Sequence, residues 1–134
     1  MIEVALGIGC DRGAALATLE AALAQATADL GPVQVRCIAS IDRKGDEPAI
    51  LALAVALGVP VRLYTADALS QVAVPNPSQT VQRVMGTPSV SEAAALLASG
   101  GRSLLIPKRP YRGADGKNAT VALASIGDPP GDAC

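Results

Sequence analysis

The side chains of this sequence best suited to bind a ligand or move a proton fall into three groups. The first is Gly7-Ile8-Gly9-Cys10-Asp11-Arg12-Gly13, where a thiol, a carboxylate and a guanidinium sit among glycines between an apolar strand and an alanine-rich helix. Glycine at the carboxyl end of a strand lets backbone approach a bound group, and the free amides of the following helix favour an anion. Gly9, Cys10, Arg12 and Gly13 are the candidates here. A plain strand-to-helix connection would use the same glycines for their torsions alone. The second group lies in Ala39-Ser40-Ile41-Asp42-Arg43-Lys44-Gly45-Asp46-Glu47-Pro48, with Ser40 and Asp42 at a strand end and Lys44 and Glu47 just beyond. A solvated charged loop has the same composition. The third is dispersed: Asn76 in Pro75-Asn76-Pro77-Ser78, then Gly86, Thr87 and Ser89 in Gly86-Thr87-Pro88-Ser89, and Lys108 directly after Ile106-Pro107. Asn76 and Ser89 also suit helix caps, and a helix N-terminus bearing two hydroxyls suits a carboxylate or phosphate.

Arg12, Lys44, Lys108 and three helix N-termini together suit a ligand with several negative groups. Asp42, Glu47 and Lys108 are the candidates for acid–base work, because the chain has no histidine and therefore no His-based triad. Neither Gly-x-Gly-x-x-Gly nor Gly-Lys-Ser/Thr is present, which makes a nucleotide the weakest ligand reading. The three cysteines are odd in number and widely spaced, a pattern of neither a disulfide framework nor a zinc site. Reduced thiols are expected, with Cys37 in the core, Cys134 in the tail and Cys10 alone where it could react. A net charge of -1 and a complement of two Tyr with no Phe or Trp offer neither a basic stripe nor a stacking platform for nucleic acid. The apolar runs are too short to span a bilayer and no basic segment precedes the first strand, so a cytoplasmic protein is expected.

Periodicity places strands over residues 4–8, 33–39, 61–64, 103–107 and 119–126, and helices over 14–30, 49–57, 79–84 and 89–98, with a brief turn after Thr65. Ser89-Val90-Ser91-Glu92 matches a capping box, and Asp115-Gly116 is a turn signal between the last two strands. The expected fold is α/β: a three-layer α/β/α arrangement whose mostly parallel sheet receives an antiparallel strand, at or near one edge, from a C-terminal hairpin. One domain over residues 1–127 and a disordered tail over 128–134 complete the expectation. In such a sheet the loops after the strands converge on the carboxyl edge, the default place for a ligand.

Taken in order, the two loop motifs, Pro75-Asn76-Pro77-Ser78, Gly86-Thr87-Pro88-Ser89-Val90-Ser91-Glu92-Ala93-Ala94-Ala95 and Ile106-Pro107-Lys108 resemble the CobE / CbiG C-terminal family of vitamin B12 (cobalamin) biosynthesis. The resemblance implies an α/β domain with a place in corrin-ring assembly. In the CbiG proteins of that family the domain follows an N-terminal region, and the whole protein opens the ring-A δ-lactone of a cobalt-precorrin with loss of acetaldehyde. A chain without that region is expected, resembling the stand-alone form of the oxygen-dependent route. Arg43-Lys44-Gly45 departs from the lysine-richer stretch expected there. The resemblance implies a precorrin-binding accessory or carrier protein, with a hydrolase-like enzyme acting on a precorrin as the alternative. Corrin precursors are apolar macrocycles fringed with acetates and propionates, which a cleft rich in amide dipoles and cations would match. Without histidine the contact is expected through the ring periphery, with no metal ligation and no cofactor. The partners expected are a precorrin and other corrin-pathway enzymes.

Overall fold

The computed structural model describes residues 2–28, 30–72, 90–100 and 103–126. Apolar side chains at alternate positions build β1 (Ile2–Cys10), β2 (Val33–Ile41) and β3 (Val61–Tyr64), and a hairpin supplies β4 (Leu104–Arg112) and β5 (Asn118–Ser125). They form one sheet in the order β3-β2-β1-β5-β4. β1 pairs parallel with β2 and β2 with β3, whereas β5 is antiparallel to both β1 and β4. Four strands thus share a direction, and the reversed β5 lies one position in from the edge formed by β4.

Helices α1 (Leu16–Thr27) and α2 (Pro48–Leu57) cover one face of the sheet, and α3 (Ala66–Ser70) and α4 (Val90–Ala98) cover the other. Val4, Leu6 and Ile8 of β1 meet Leu19 and Leu53 on the first face, while Ala5, Ala39 and Ile41 meet Leu69, Ala93, Ala94 and Ala98 on the second. A core without Phe or Trp closes by bringing backbones together. A β-carbon at Gly7 would overlap the Ser91 carbonyl oxygen and come within 2.8 Å of the Ala95 nitrogen. Gly7 therefore lets α4 lie directly on β1.

The expected signals hold at α2, which opens on Pro48 and stops at Gly58 with φ 69°, and at α3, where the Thr65 hydroxyl accepts the Ala68 N–H at 3.1 Å. Other boundaries move. β1 runs through Gly9 to Cys10, so the expected glycine turn shrinks to residues 11–14, where Gly13 adopts a positive φ of 81°. The helix expected over 14–30 contracts to Leu16–Thr27. β2 absorbs Ser40 and is followed by a single 3-10 turn, Asp42–Lys44. β4 continues through Arg112, paired with Asn118, so Lys108 lies within a strand rather than after one. Its two prolines are tolerated because β4 is an edge strand with register shifts.

Cys37 is fully buried in β2 as expected but is disulfide-bonded, so among the described residues the expectation of reduced thiols holds for Cys10 alone. The helix expected over 79–84 and the tail over 128–134 lie outside the described residues. Among the described residues no helix is long and apolar enough to cross a membrane.

Candidate functional site

The carboxyl ends of β1 and β2 lie side by side and each leads into a helix on the same face of the sheet. Glu47 joins the two loops. Its side chain is fully buried at the start of α2, where it does not cap its own helix. Instead the Gly13 N–H donates to Glu47 Oε1 at 2.8 Å. Oε2 lies 3.1 Å from Arg12 Nη1 in an ion pair but accepts no hydrogen bond. Arg12 Nη1 donates to Asp46 Oδ1 at 2.8 Å, and Nη2 donates to the Arg43 carbonyl at 3.1 Å. The hydrogen bond from Arg12 holds the Asp46 carboxyl below the usual carboxylate range.

The hairpin clamps the same loop from the other side. The Asp11 N–H donates to the Asn118 carbonyl at 2.9 Å, and the Asn118 N–H and Nδ2–H donate to Asp11 Oδ2 at 2.9 and 3.0 Å. Ala15 precedes α1 without a side chain able to cap it, and Asp115 supplies the missing acceptor. Asp115 Oδ2 accepts the Ala15 N–H at 2.8 Å, and Oδ1 accepts the Thr18 hydroxyl at 2.9 Å and the Lys117 N–H at 3.0 Å. The first loop is thus fixed by long-range polar contacts on both flanks.

Lys44 closes the 3-10 turn, whose backbone is held by Gly45 N–H to Asp42 carbonyl at 3.0 Å and Glu47 N–H to Lys44 carbonyl at 3.1 Å. Lys44 is buried although charged. Half-buried Cys10 lies within the field of Lys44, Glu47, Asp11 and Arg12. Burial pushes its thiol up to about 11, outweighing the opposing pull of Lys44, so Cys10 is a neutral thiol near pH 7 and a poor nucleophile.

Cys10, Arg12, Gly13, Lys44 and Glu47, expected from two separate motifs, therefore meet in one place. Gly9 is next to them in β1 but on the α4 face, where a β-carbon would lie 4.0 Å from Val90 Cγ1. Ser40 is fully buried and its hydroxyl donates to the Ile8 carbonyl at 2.7 Å, a bond that ties β2 to β1. Asp42 is exposed at the start of the 3-10 turn. Lys108 does not project over the carboxyl edge as expected. The edge row is Cys10, Ala119 and Tyr111, and Lys108 lies three residues back along β4, about 10 Å away. Its N–H donates to the buried Glu92 Oε2 at 2.9 Å, at a register shift that turns this amide from the ladder. Glu92, expected in a capping box, thus anchors β4. Asn76, Gly86, Thr87 and Ser89 lie outside the described residues.

Sequence reasoning missed Asp115, Asn118 and Asp46 as supports of the site. The Asp-Gly dipeptide explained Asp115 as a turn residue, and the bare alanines before α1 were the available sign that a cap had to come from elsewhere. An open groove of about 570 Å³, lined by residues such as Leu23, Pro32, Val35, Leu53 and Leu57, lies toward the start of β2. Glu20 is its one ionisable lining residue, so it does not share the chemistry of the charged edge. Among the described residues no group of three or more Cys, Asp and Glu side chains could hold a metal ion.

An α/β/α domain with charged loops joined at the carboxyl ends of adjacent parallel strands is an open-sheet α/β protein. More particularly, the chain belongs to the cobalamin synthesis G C-terminus family, whose model matches residues 4–124. It is 37% identical over 123 residues to Protein CobE of Sinorhizobium sp, covering 89% of this chain and 77% of that one. It is 31% identical over 125 residues to the cobalt-precorrin-5A hydrolase of Priestia megaterium, covering 92% of this chain but only 32% of the hydrolase. The crystal structure of CobE, a protein from the cobalamin (vitamin B12) biosynthetic pathway, superimposes with a TM-score of 0.79 at 36% identity, covering 93% of this chain and 91% of that one.

Proposed function

We propose that this chain binds a precorrin intermediate as an accessory or carrier protein of the oxygen-dependent cobalamin pathway, in the cytoplasm and in contact with other enzymes of corrin assembly. The observation that carries this reading is the meeting of Arg12 and Lys44 around Cys10 at the carboxyl ends of two parallel strands, in a chain of the cobalamin synthesis G C-terminus family. A macrocycle fringed with carboxylates needs cations at an apolar edge. The high thiol pKa of Cys10 supports binding over nucleophilic chemistry. Incubation with hydrogenobyrinic acid followed by gel filtration tests the reading: pigment co-eluting with the protein and a shifted visible spectrum are expected. A colourless protein peak would contradict it.

One observation favours a second reading, an enzyme acting on a precorrin. Glu47 Oε2 is buried without a hydrogen bond, which leaves it an acceptor open to a group of the ligand. The hydrolase relative is matched over about a third of its length, so its activity is a proposal for this chain. In that reading Glu47 or Asp42 moves the proton and Lys44 stabilises developing negative charge. Turnover of a precorrin by the isolated chain, lost in Glu47→Gln while pigment retention persists, would establish it over simple carriage.

A further inference from the structure

Only 8% of the Lys44 surface is exposed, and among the described residues its side chain makes no hydrogen bond and no ion pair. The buried stem holds in place an ammonium that reaches the surface without an ion pair, which leaves the anion to be supplied from outside. The other anion-seeking groups of this edge are satisfied from within. Arg12 is held by Asp46, Glu47 and the Arg43 carbonyl, and the Gly13 N–H is taken by Glu47. Cys10 does not serve as the counter-ion, because burial keeps its thiol protonated.

We propose that Lys44 is the anchor for one carboxylate of the ligand, and that it makes the site select a free carboxylate over the corresponding primary amide. The proposal rests on the precorrin-binding reading and names the ligand group that the site recognises. A carboxylate neutralises the ammonium and accepts a charge-assisted hydrogen bond from it. A primary amide of the same shape carries no charge and leaves the ammonium without a counter-ion. Arg12 is secondary here, since a ligand carboxylate reaching it must first displace Asp46.

The test compares hydrogenobyrinic acid with the same macrocycle whose peripheral carboxylates are converted to primary amides. The wild-type protein should bind the acid about tenfold more tightly or better, the worth of one charged hydrogen bond. Lys44→Met should lose that preference, while Lys117→Met, in the hairpin turn, keeps it. Lys44→Met should also unfold at about the same urea concentration, because methionine keeps the buried stem and no hydrogen bond or ion pair is lost. A lysine that merely supports the fold would show the opposite, an unchanged preference with lowered stability, and that result overturns the proposal. Succinate provides a test without the macrocycle: in protein labelled at lysine Cε, the Lys44 resonance should move saturably while those of Lys108 and Lys117 stay in place. If the wild type retains neither pigment, the precorrin reading falls, and the succinate titration still decides for or against Lys44: no movement of its resonance overturns the anchor.

Discussion

The buried Glu47 carboxylate accepts the Gly13 N–H at 2.8 Å across 34 residues of sequence, so the amide that makes the first loop attractive to an anion is occupied by the protein's own anion. The same side chain faces Arg12 at 3.1 Å. Replacing Glu47 by Ala breaks the joint between the two loops and should cost about 2 kcal/mol, the scale of a hydrogen bond to a charged group. Urea denaturation checks this. Arg12→Ala should destabilise more than Asp46→Ala, because only the former leaves a buried carboxylate without its cation; equal effects would mean that the ion pair with Glu47 contributes nothing.

Gly7→Ala tests the close approach of α4 to β1. The added methyl meets helix backbone rather than a flexible side chain, so relief requires moving α4. A loss of about 1–3 kcal/mol is expected, the usual cost of overpacking. Gly9→Ala, where the nearest atom is 4.0 Å away, should be much milder. The two substitutions in one denaturation series separate steric packing from a general intolerance of side chains in β1.

Both glycines sit in one motif, and the sequence did not distinguish them. Strand, helix and turn signals were legible because they are local: Pro48 and Gly58 bracket α2, Thr65 caps α3, and alternation marks the strands. The layer arrangement followed from their order. The fate of Gly7 was hidden because it depends on a helix more than 80 residues away in sequence. The Ser40 hydroxyl was read as a ligand group because its position at a strand end was visible and its partner, the Ile8 carbonyl, was not. Lys108 was misplaced for a related reason: Pro107 ends most strands, but not an edge strand with a register shift.

Cys10 should alkylate slowly at neutral pH. With its thiol pKa raised from 9.0 to about 11, the thiolate fraction near pH 7 is about 100-fold below that of an unperturbed thiol. Peptide-resolved mass spectrometry after timed iodoacetamide exposure checks this, with the rate rising toward pH 11. Lys44→Met should slow it further, since Lys44 lowers this pKa. Because the folded state holds the Cys10 proton more tightly than the unfolded state, its stabilising contribution is present below pH 9 and is lost as pH rises through about 11.

Asp115→Ala should uncap α1 and free the first loop from the hairpin. Hydrogen exchange at Ala15 and in the first turn of α1 should accelerate, with little change in α4. The hydrogen bonds from Ala15 and Lys117 lower the Asp115 pKa below its ordinary 3.8. Its contribution is therefore present above that value and is lost as pH falls through the lower folded value. Asp115→Asn should remove this part of the acid sensitivity, read from denaturation midpoints across the acid range.

The most direct test of a precorrin site at the carboxyl edge is amide chemical-shift mapping with hydrogenobyrinic acid. The predicted result is saturable perturbation at Cys10, Gly13, Lys44, Gly45 and Glu47, with the groove residues Leu23, Val33 and Leu57 unchanged. Perturbation confined to the groove, or none at either place, would contradict it.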